Sequence, residues 1–480
     1  MEQTSSSKNK YLVPLMTLTV LFFMWGFITC LNDMLTPYFK AVFNLSGFKA
    51  NLVQFAFFMA YFVVSLAYFI TSAVWQDPIR KVGYKTTILA GLVISATACL
   101  VFCSEAAEEI PRYEMFLVAL FILGTGFTFL QISANPLVSI LGTQESSSSR
   151  LNLSQGFNSL GTTLAPVIGA LVIFGGRRSE DEIPDQSTVQ LLYLCLAGVL
   201  ILLAVLIFFS NIPNLKSENE NATDKIGALR YPHVIFGMLA IFFYVGGEVA
   251  IGNNLVHYMK DSIDFISNEQ IAGKFLSFYW GGAMIGRFAG SIYMSGMDER
   301  KKLVYMICVG LAIFGLIFAL TGLEFMDICY FLIFMLLNFC AFIATKGIPS
   351  RTLGLFAVIN ICLIAGMVMT TGSLSLWLIL AVGLFNSIMF SNVFTLAIKW
   401  LGEYTSQASS LLVMMILGGA LMPPLQGYLA DNIGSHTAFV IPIISYIYLA
   451  WYGFLGCNIK SSKLTYVEDT EELRETNSNE

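Results

Sequence analysis

Three ionisable side chains sit where water is scarce: Asp33, Glu248 and Arg287 each fall inside a long apolar run. A charge at the centre of a membrane helix costs ~2.5–3.5 kcal/mol on insertion scales, so such a group is a functional candidate. Asp33 follows Asn32, and Pro37 can open the helix locally four residues later. Away from water the charged form of a carboxylate is disfavoured, which suits a group that takes up and releases a proton. A structural carboxylate bonded to a neighbouring helix is the other reading of Asp33. Glu248 shares a helix face with Tyr244 at i, i+4, and Gly246 and Gly247 between them permit close helix approach. It can accept sugar hydroxyls, share the proton with Asp33, or pair with Arg287. Arg287 lies nearer one end of its run and reads as a gating or inter-bundle ion pair.

Neutral polar residues recur at helical spacing within the apolar runs. Gln131 and Asn135 are i and i+4; Gln155, Asn158 and Thr162 follow at spacings of three and four; Asn386, Ser387, Ser391 and Asn392 cluster further on. An amide donates and accepts at once, which matches the hydroxyl ring of a sugar. Trp25 and Trp280 can stack on a pyranose face or simply pack in the core. No basic cluster converges inside the runs, which argues against a phosphate or organic-anion substrate. No Walker A sequence, nucleophile–base pair or metal constellation appears, so an enzyme, a cofactor and a metal are not expected. The nine cysteines form no C-x-x-C pair and the three histidines lie far apart.

The elements that must position these groups follow from composition. Of 480 residues, 56% are hydrophobic and only 12% charged, about half the ~25% of a soluble domain. The chain cannot clothe a soluble core, so its class is all-α integral membrane. Apolar windows of span length occur near 11–38, 50–75, 86–103, 114–142, 151–175 and 189–210. After a polar linker at 211–230 they resume near 231–258, 271–294, 303–322, 327–346, 352–371, 374–400, 408–430 and 436–457. That makes fourteen spans, followed by an acidic, disordered tail at 461–480. A β-barrel is excluded, because the runs are long and lack strand alternation.

With the N-terminus inside, eighteen of the 26 Lys and Arg fall in cytoplasmic segments, seven fall outside, and Arg287 lies within a span. The positive-inside rule then puts both termini in the cytoplasm. Nucleic-acid binding is not expected at a net charge of −5. An internal repeat appears at an offset of 220 residues: Phe23-x-x-Gly26 returns as Phe243-x-x-Gly246, and Leu35-x-x-Tyr38 as Leu255-x-x-Tyr258. On this register Asp33 faces Asn253. Repeated halves joined by a linker mark a transporter built from two six-helix bundles. The organisation expected is an N-terminal bundle at 1–210 and a C-terminal bundle at 231–460. The second half carries one extra hairpin within 303–371, from either 303–346 or 327–371.

At several segments the chain resembles the major facilitator superfamily, in particular the fucose–galactose–glucose:proton symporter family. These are Phe-Met-Trp25-Gly26-Phe…Leu-Asn32-Asp33, Ser-Ala-Asn135-Pro136-Leu-Val, Arg150-Leu-Asn-Leu-Ser-Gln155-Gly-Phe-Asn158, Tyr244-Val-Gly-Gly-Glu248-Val and Tyr404-Thr-Ser-Gln407…Gly418-Gly419-Ala…Pro423. Fucose permeases carry an acid in the fourth span and none at the position of Glu248. Here the fourth span has Gln131 and the seventh has Glu248, which looks like the glucose/galactose branch. The resemblance implies proton coupling at Asp33 and sugar contacts at Gln155 and Asn158; Glu248 stands beside Asp33 as a coupling candidate on the reading of the residue itself. Trp25, Asn32, Gln131, Asn135, Glu248, Asn253 and Asn386 complete the candidate sugar site. Asp77-Pro-Ile-Arg80-Lys81-Val-Gly83 loosely matches the superfamily gate motif, so Asp77 and Arg80, with Arg150 and Arg287, are gating candidates. The expected protein is a monomeric, proton-coupled importer of glucose or galactose in a bacterial inner membrane. Its partners are a small neutral sugar, a proton and the lipid bilayer, with no nucleic acid. A fucose or N-acetylglucosamine symporter, a hexose uniporter and a non-transporting sugar sensor are the rivals.

Overall fold

In the computed structural model, residues 11–45, 47–108, 110–169, 186–215 and 227–458 are described. The tail at 461–480 and most of the linker fall outside them. The first half forms α1 (Leu12–Val42), α2 (Gly47–Val74), α3 (Tyr84–Glu105), α4 (Tyr113–Ile140), α5 (Ser147–Gly169) and α6 (Gln186–Phe209). The second half forms α7 (Pro232–Ser262), α8 (Glu269–Tyr293), α9 (Glu299–Thr321), α10 (Tyr330–Ala344) and α11 (Pro349–Met369). It ends with α12 (Gly372–Ala397), α13 (Gly402–Ile433) and α14 (Thr437–Gly456). Helices are what an apolar environment demands, since each closes its backbone hydrogen bonds within itself.

Among the described residues, eleven of these helices are long and apolar enough to cross a membrane. The fourteen spans read from the sequence exceed that number by α5, α8 and α10. Helix α10 has 15 residues, whereas α5 and α8 carry Gln, Asn, Ser, Lys and Arg side chains that lower their hydropathy. Where a helix face needs no polar groups it is apolar: α6 exposes Leu191, Leu194, Leu202 and Leu206.

One packing pattern occurs twice. In the first half α1 packs on α5, α2 on α4, and α3 on both α4 and α6; in the second, α7 packs on α13, α8 on α12, and α11 on both α12 and α14. Helix α9 adds to this pattern from α8, and α10 from α8, α11 and α12. The halves meet through α5 with α8 and α12, and through α13 with α2 and α4.

Glycine makes the tightest of these pairings possible. A Cβ on Gly161 of α5 would stand 2.3 Å from the Phe23 carbonyl oxygen of α1, and one on Gly26 would stand 2.2 Å from that of Asn158. The repeat has the same device, with a Cβ on Gly418 of α13 falling 2.0 Å from the Phe242 oxygen of α7. Gly246, the repeat partner of Gly26, faces that same contact. The Phe-x-x-Gly repeat visible in the sequence is therefore a packing motif: it lets two backbones touch.

Candidate functional site

The helices line an open cavity of about 210 Å³ between the halves, somewhat below the ~300–1,000 Å³ usual for small-molecule sites. The first half contributes Trp25 and Thr29 from α1, Phe57, Phe58 and Tyr61 from α2, Gln131 from α4, and Gln155, Asn158 and Thr162 from α5. The second half contributes Tyr244 and Glu248 from α7, Arg287 from α8, Phe390 from α12 and Ile416 from α13. Proline sits near several of these positions: Pro136 lies inside α4, Pro166 inside α5, and Pro423 and Pro424 inside α13. Each removes one helical hydrogen bond and lets the helix bend beside the cavity.

At its floor Arg287 links the halves. Its guanidinium approaches a Glu248 carboxylate oxygen at 3.7 Å, with both side chains about nine-tenths buried. It also donates to the Ser159 hydroxyl and, at 3.5 Å, to the Gln155 carbonyl across the interface. Its Nε donates to the Ser387 carbonyl at 3.1 Å. Glu248 is fixed by its backbone, whose carbonyl accepts from the Tyr279 hydroxyl at 2.9 Å.

Three polar atoms on the wall have no well-formed hydrogen bond within the protein: Gln131 Oε1, the Tyr244 hydroxyl and Glu248 Oε1, all buried. Leaving a buried polar group unpaired costs ~1–3 kcal/mol, so in a native fold it calls for a reason. An acceptor amide, a hydroxyl and a carboxylate beside Trp25, Phe57, Phe58 and Phe390 form a site for a neutral molecule with several hydroxyls on one side and an apolar face on the other.

Of the residues expected to bind substrate, the structure brings Trp25, Gln131, Gln155, Asn158 and Glu248 together here. Asn158 also donates to the Phe22 carbonyl at 3.0 Å, so it ties α5 to α1. The side chains of Asn32 and Asp33 lie outside the described residues. Three others do not line the cavity. Asn135 is fully buried one helical turn beyond Gln131. Asn253 is exposed on α7. Asn386 is the centre of a network inside the second half: it donates to the Tyr279 hydroxyl at 2.9 Å and accepts from Tyr446 at 2.7 Å and Asn360 at 3.0 Å. The walls supplied by Tyr244, Phe57, Phe58, Tyr61 and Phe390 were not singled out as sugar contacts by sequence reasoning, although Tyr244 was placed on the face of Glu248.

Away from the cavity, toward the end that carries the basic loops, the halves are closed. Asp77 is buried there, and its carboxylate accepts from Tyr68 at 2.5 Å, from the Ile79 amide at 3.0 Å and, across the interface, from Ser406 at 2.7 Å. Arg80 pairs with Glu403 at 3.0 Å. Ser148 meets Thr395 at 2.7 Å, and Asn152 donates to Asn392 at 3.3 Å. Arg150 differs from its expected gating company: its guanidinium bonds go to Val138, Ser139, Thr143 and Ser146, all within the first half, where it braces the turn between α4 and α5. Among the described residues, the side-chain hydrogen bonds between the halves run from this basic end to mid-helix. A 3.9 Å contact of Thr163 with the Met284 sulfur is the outermost.

The Major Facilitator Superfamily profile matches residues 17–354, more than half of the chain. The chain belongs to the Major Facilitator Superfamily. It is 40% identical over 456 residues to the glucose/galactose transporter of Brucella abortus biovar 1 (strain 9-941), covering 95% of this chain and 96% of that protein. It is 29% identical over 469 residues to the L-fucose-proton symporter of Escherichia coli (strain K12), covering 93% of each. A crystal structure of the superfamily transporter FucP in the outward conformation superposes with a TM-score of 0.73 at 28% identity, covering 93% of this chain and 99% of that one. The superfamily assignment carries the two-half packing, and the likeness to fucose–galactose–glucose:proton symporters read from the motifs holds.

Proposed function

We propose that the protein is a proton-coupled importer of a neutral hexose, glucose or galactose, working by alternating access. The observation that carries the reading is the trio of buried polar atoms on Gln131, Tyr244 and Glu248 that lack a well-formed hydrogen bond, set among aromatic rings in a cavity between two halves. Such a surface suits a sugar: hydroxyls meet the polar atoms and the C–H face meets the rings. A polyanion would find only Arg287, already engaged by Glu248. The glucose/galactose transporter that the chain resembles along its length supports the same substrate class. Asp33 is the proton site in this proposal, Glu248 a sugar ligand that shares in coupling, and Arg287 the residue that gates between halves. Contacts confined to the basic end and mid-helix support an outward-open state, with the basic end cytoplasmic in a bacterial inner membrane.

Purified protein in proteoliposomes, offered labelled hexoses with and without an inward proton gradient, tests this. Glucose and galactose are expected to accumulate only with the gradient, and to compete about tenfold better than fucose, the equivalent of one charge-assisted hydrogen bond. Equal inhibition by fucose reverses the choice of sugar, and accumulation indifferent to the gradient makes the protein a uniporter. Failure to transport while binding sugar leaves a sensor.

The proposed topology has fourteen crossings, with α5, α8 and α10 spanning in addition to the eleven apolar helices and both termini in the cytoplasm. The added hairpin is α9 with α10, because α11 to α14 complete the packing pattern of the first half without them. Single cysteines at Glu324→Cys and Ile348→Cys, in a background free of native cysteines, are expected to react from opposite sides of the membrane. Labelling of both from one side removes a crossing.

A further inference from the structure

Between the cavity and the closed basic end lies a layer of four polar side chains with hydrogen-bonding capacity that neither of them uses: of the four, Asn152 alone takes part in the closure, through its NH2 to Asn392. Ser65 stands one turn beyond Tyr61 of the cavity wall and one turn short of Tyr68, the partner of Asp77. Asn135 stands one turn beyond Gln131. Asn152 precedes Gln155 by three residues, and Ser391 follows Phe390. All four side chains are fully buried. The Ser65 hydroxyl, both ends of the Asn135 amide, the Asn152 oxygen and the Ser391 hydroxyl have no hydrogen-bond partner in the protein. These positions come from α2, α4 and α5 of one half and α12 of the other, so the layer straddles the interface that must part when the basic end opens. One helical turn is a step of about 5.4 Å along the route from cavity to basic end.

An unpaired amide and three hydroxyl or carbonyl groups are poor material for a seal, which apolar side chains would make better. Their chemistry repeats that of the cavity: amides and hydroxyls, without net charge. We infer that Ser65, Asn135, Asn152 and Ser391 form a second sugar subsite, occupied only after the basic end has opened, through which the hexose leaves. The inference rests on the hexose reading above. Sugar entering from the outer side meets Gln131, Gln155 and Glu248; sugar approaching from the basic side meets this layer first. The subsite therefore sets the half-saturation constant on the basic side and contributes little to that on the outer side.

Asn135→Leu and Ser391→Ala separate this from a structural role. Initial rates of labelled galactose or glucose transport are measured in right-side-out and inside-out vesicles, alongside the thermal midpoint of the purified variants. Removing an unpaired buried polar group is expected to leave the midpoint at or above that of the wild type. The half-saturation constant from the outer side stays within about twofold, while that from the basic side rises about five- to tenfold, the effect of one lost hydrogen bond. Equal shifts on both sides, or none on either in a wild type that transports hexose, overturn the subsite. So does a lowered midpoint in both variants with parallel loss from both sides, since it makes the layer a packing feature. A wild type that moves no hexose sinks the functional reading and this one with it, whereas symmetrical variants of a transporting wild type sink this one alone.

Discussion

An Asp33→Asn variant is expected to exchange labelled galactose or glucose across a membrane at equilibrium yet to accumulate none when a proton gradient is imposed. The amide keeps the size and much of the hydrogen-bonding shape of the carboxyl but cannot titrate. The proposed sugar contacts, Gln131, Gln155, Asn158, Tyr244 and Glu248, line the cavity and are left in place by the substitution. Coupling requires that proton and sugar together favour the re-orienting state, and a ligand shifts a conformational equilibrium only through its differential affinity. Removing the proton site removes the gradient's hold on that equilibrium, so net uptake follows the sugar gradient alone. A carboxylate with only a structural duty would instead lose expression and thermal stability together with exchange. Normal accumulation by Asp33→Asn, with loss in Glu248→Gln, would transfer the coupling role to α7.

The second large effect concerns the Glu248–Arg287 pair. Replacing Arg287 with Met strands a buried carboxylate that has no well-formed hydrogen bond at Oε1, a situation that costs about 3–5 kcal/mol. It also cuts the bonds to Ser159 and Gln155, so the halves lose their link beneath the cavity. Arg287→Met is therefore expected to lower the thermal midpoint strongly. Glu248→Gln alone should mainly weaken sugar affinity. Adding Glu248→Gln to Arg287→Met should recover stability without recovering affinity, because a neutral amide needs no cation. The four proteins form a double-mutant cycle read by thermal unfolding and sugar titration. Additive losses in stability would show that the pair, at 3.7 Å, does not act as a unit.

The membrane-embedded charges and amides were legible in the sequence because they contrast with what surrounds them. Gln131, Gln155, Asn158, Trp25 and Glu248 stand out from apolar runs, and the structure gathers them in one cavity. Three other amides stood out equally and went elsewhere. Asn253 is five residues from Glu248, so at 100° per residue it projects about 140° away around α7. The 220-residue register matched helix to helix, but it did not match face to face at that position. Asn386 shares a face with Phe390, yet Tyr279, Asn360 and Tyr446 surround it. Those partners come from three other helices, and no local spacing announces them. The aromatic wall was illegible for a different reason: with 40 Phe and 20 Tyr in the chain, one more ring carries no contrast. The limits of the proposed added hairpin were likewise open in the sequence. Both candidate pairs of runs keep the same sidedness, and the proposal of α9 with α10 leans on the partners of α11 and α14.

Glu248 and Arg287 together contribute no net charge to the cavity, since each cancels the other across 3.7 Å. With Asp33 as the proton site, the loaded carrier is electrically neutral there and the empty one carries a single negative charge. Membrane voltage then has nothing to act on while sugar and proton are carried inward. It acts on the return of the empty carrier, which an inside-negative potential drives back toward the outer face with a bias on the order of 2.3 kcal/mol per 100 mV at most. The cation buried beneath the sugar thus decides which half of the cycle the cell's electrical field accelerates, and Asp33→Asn, neutral in both directions, should no longer respond to that field.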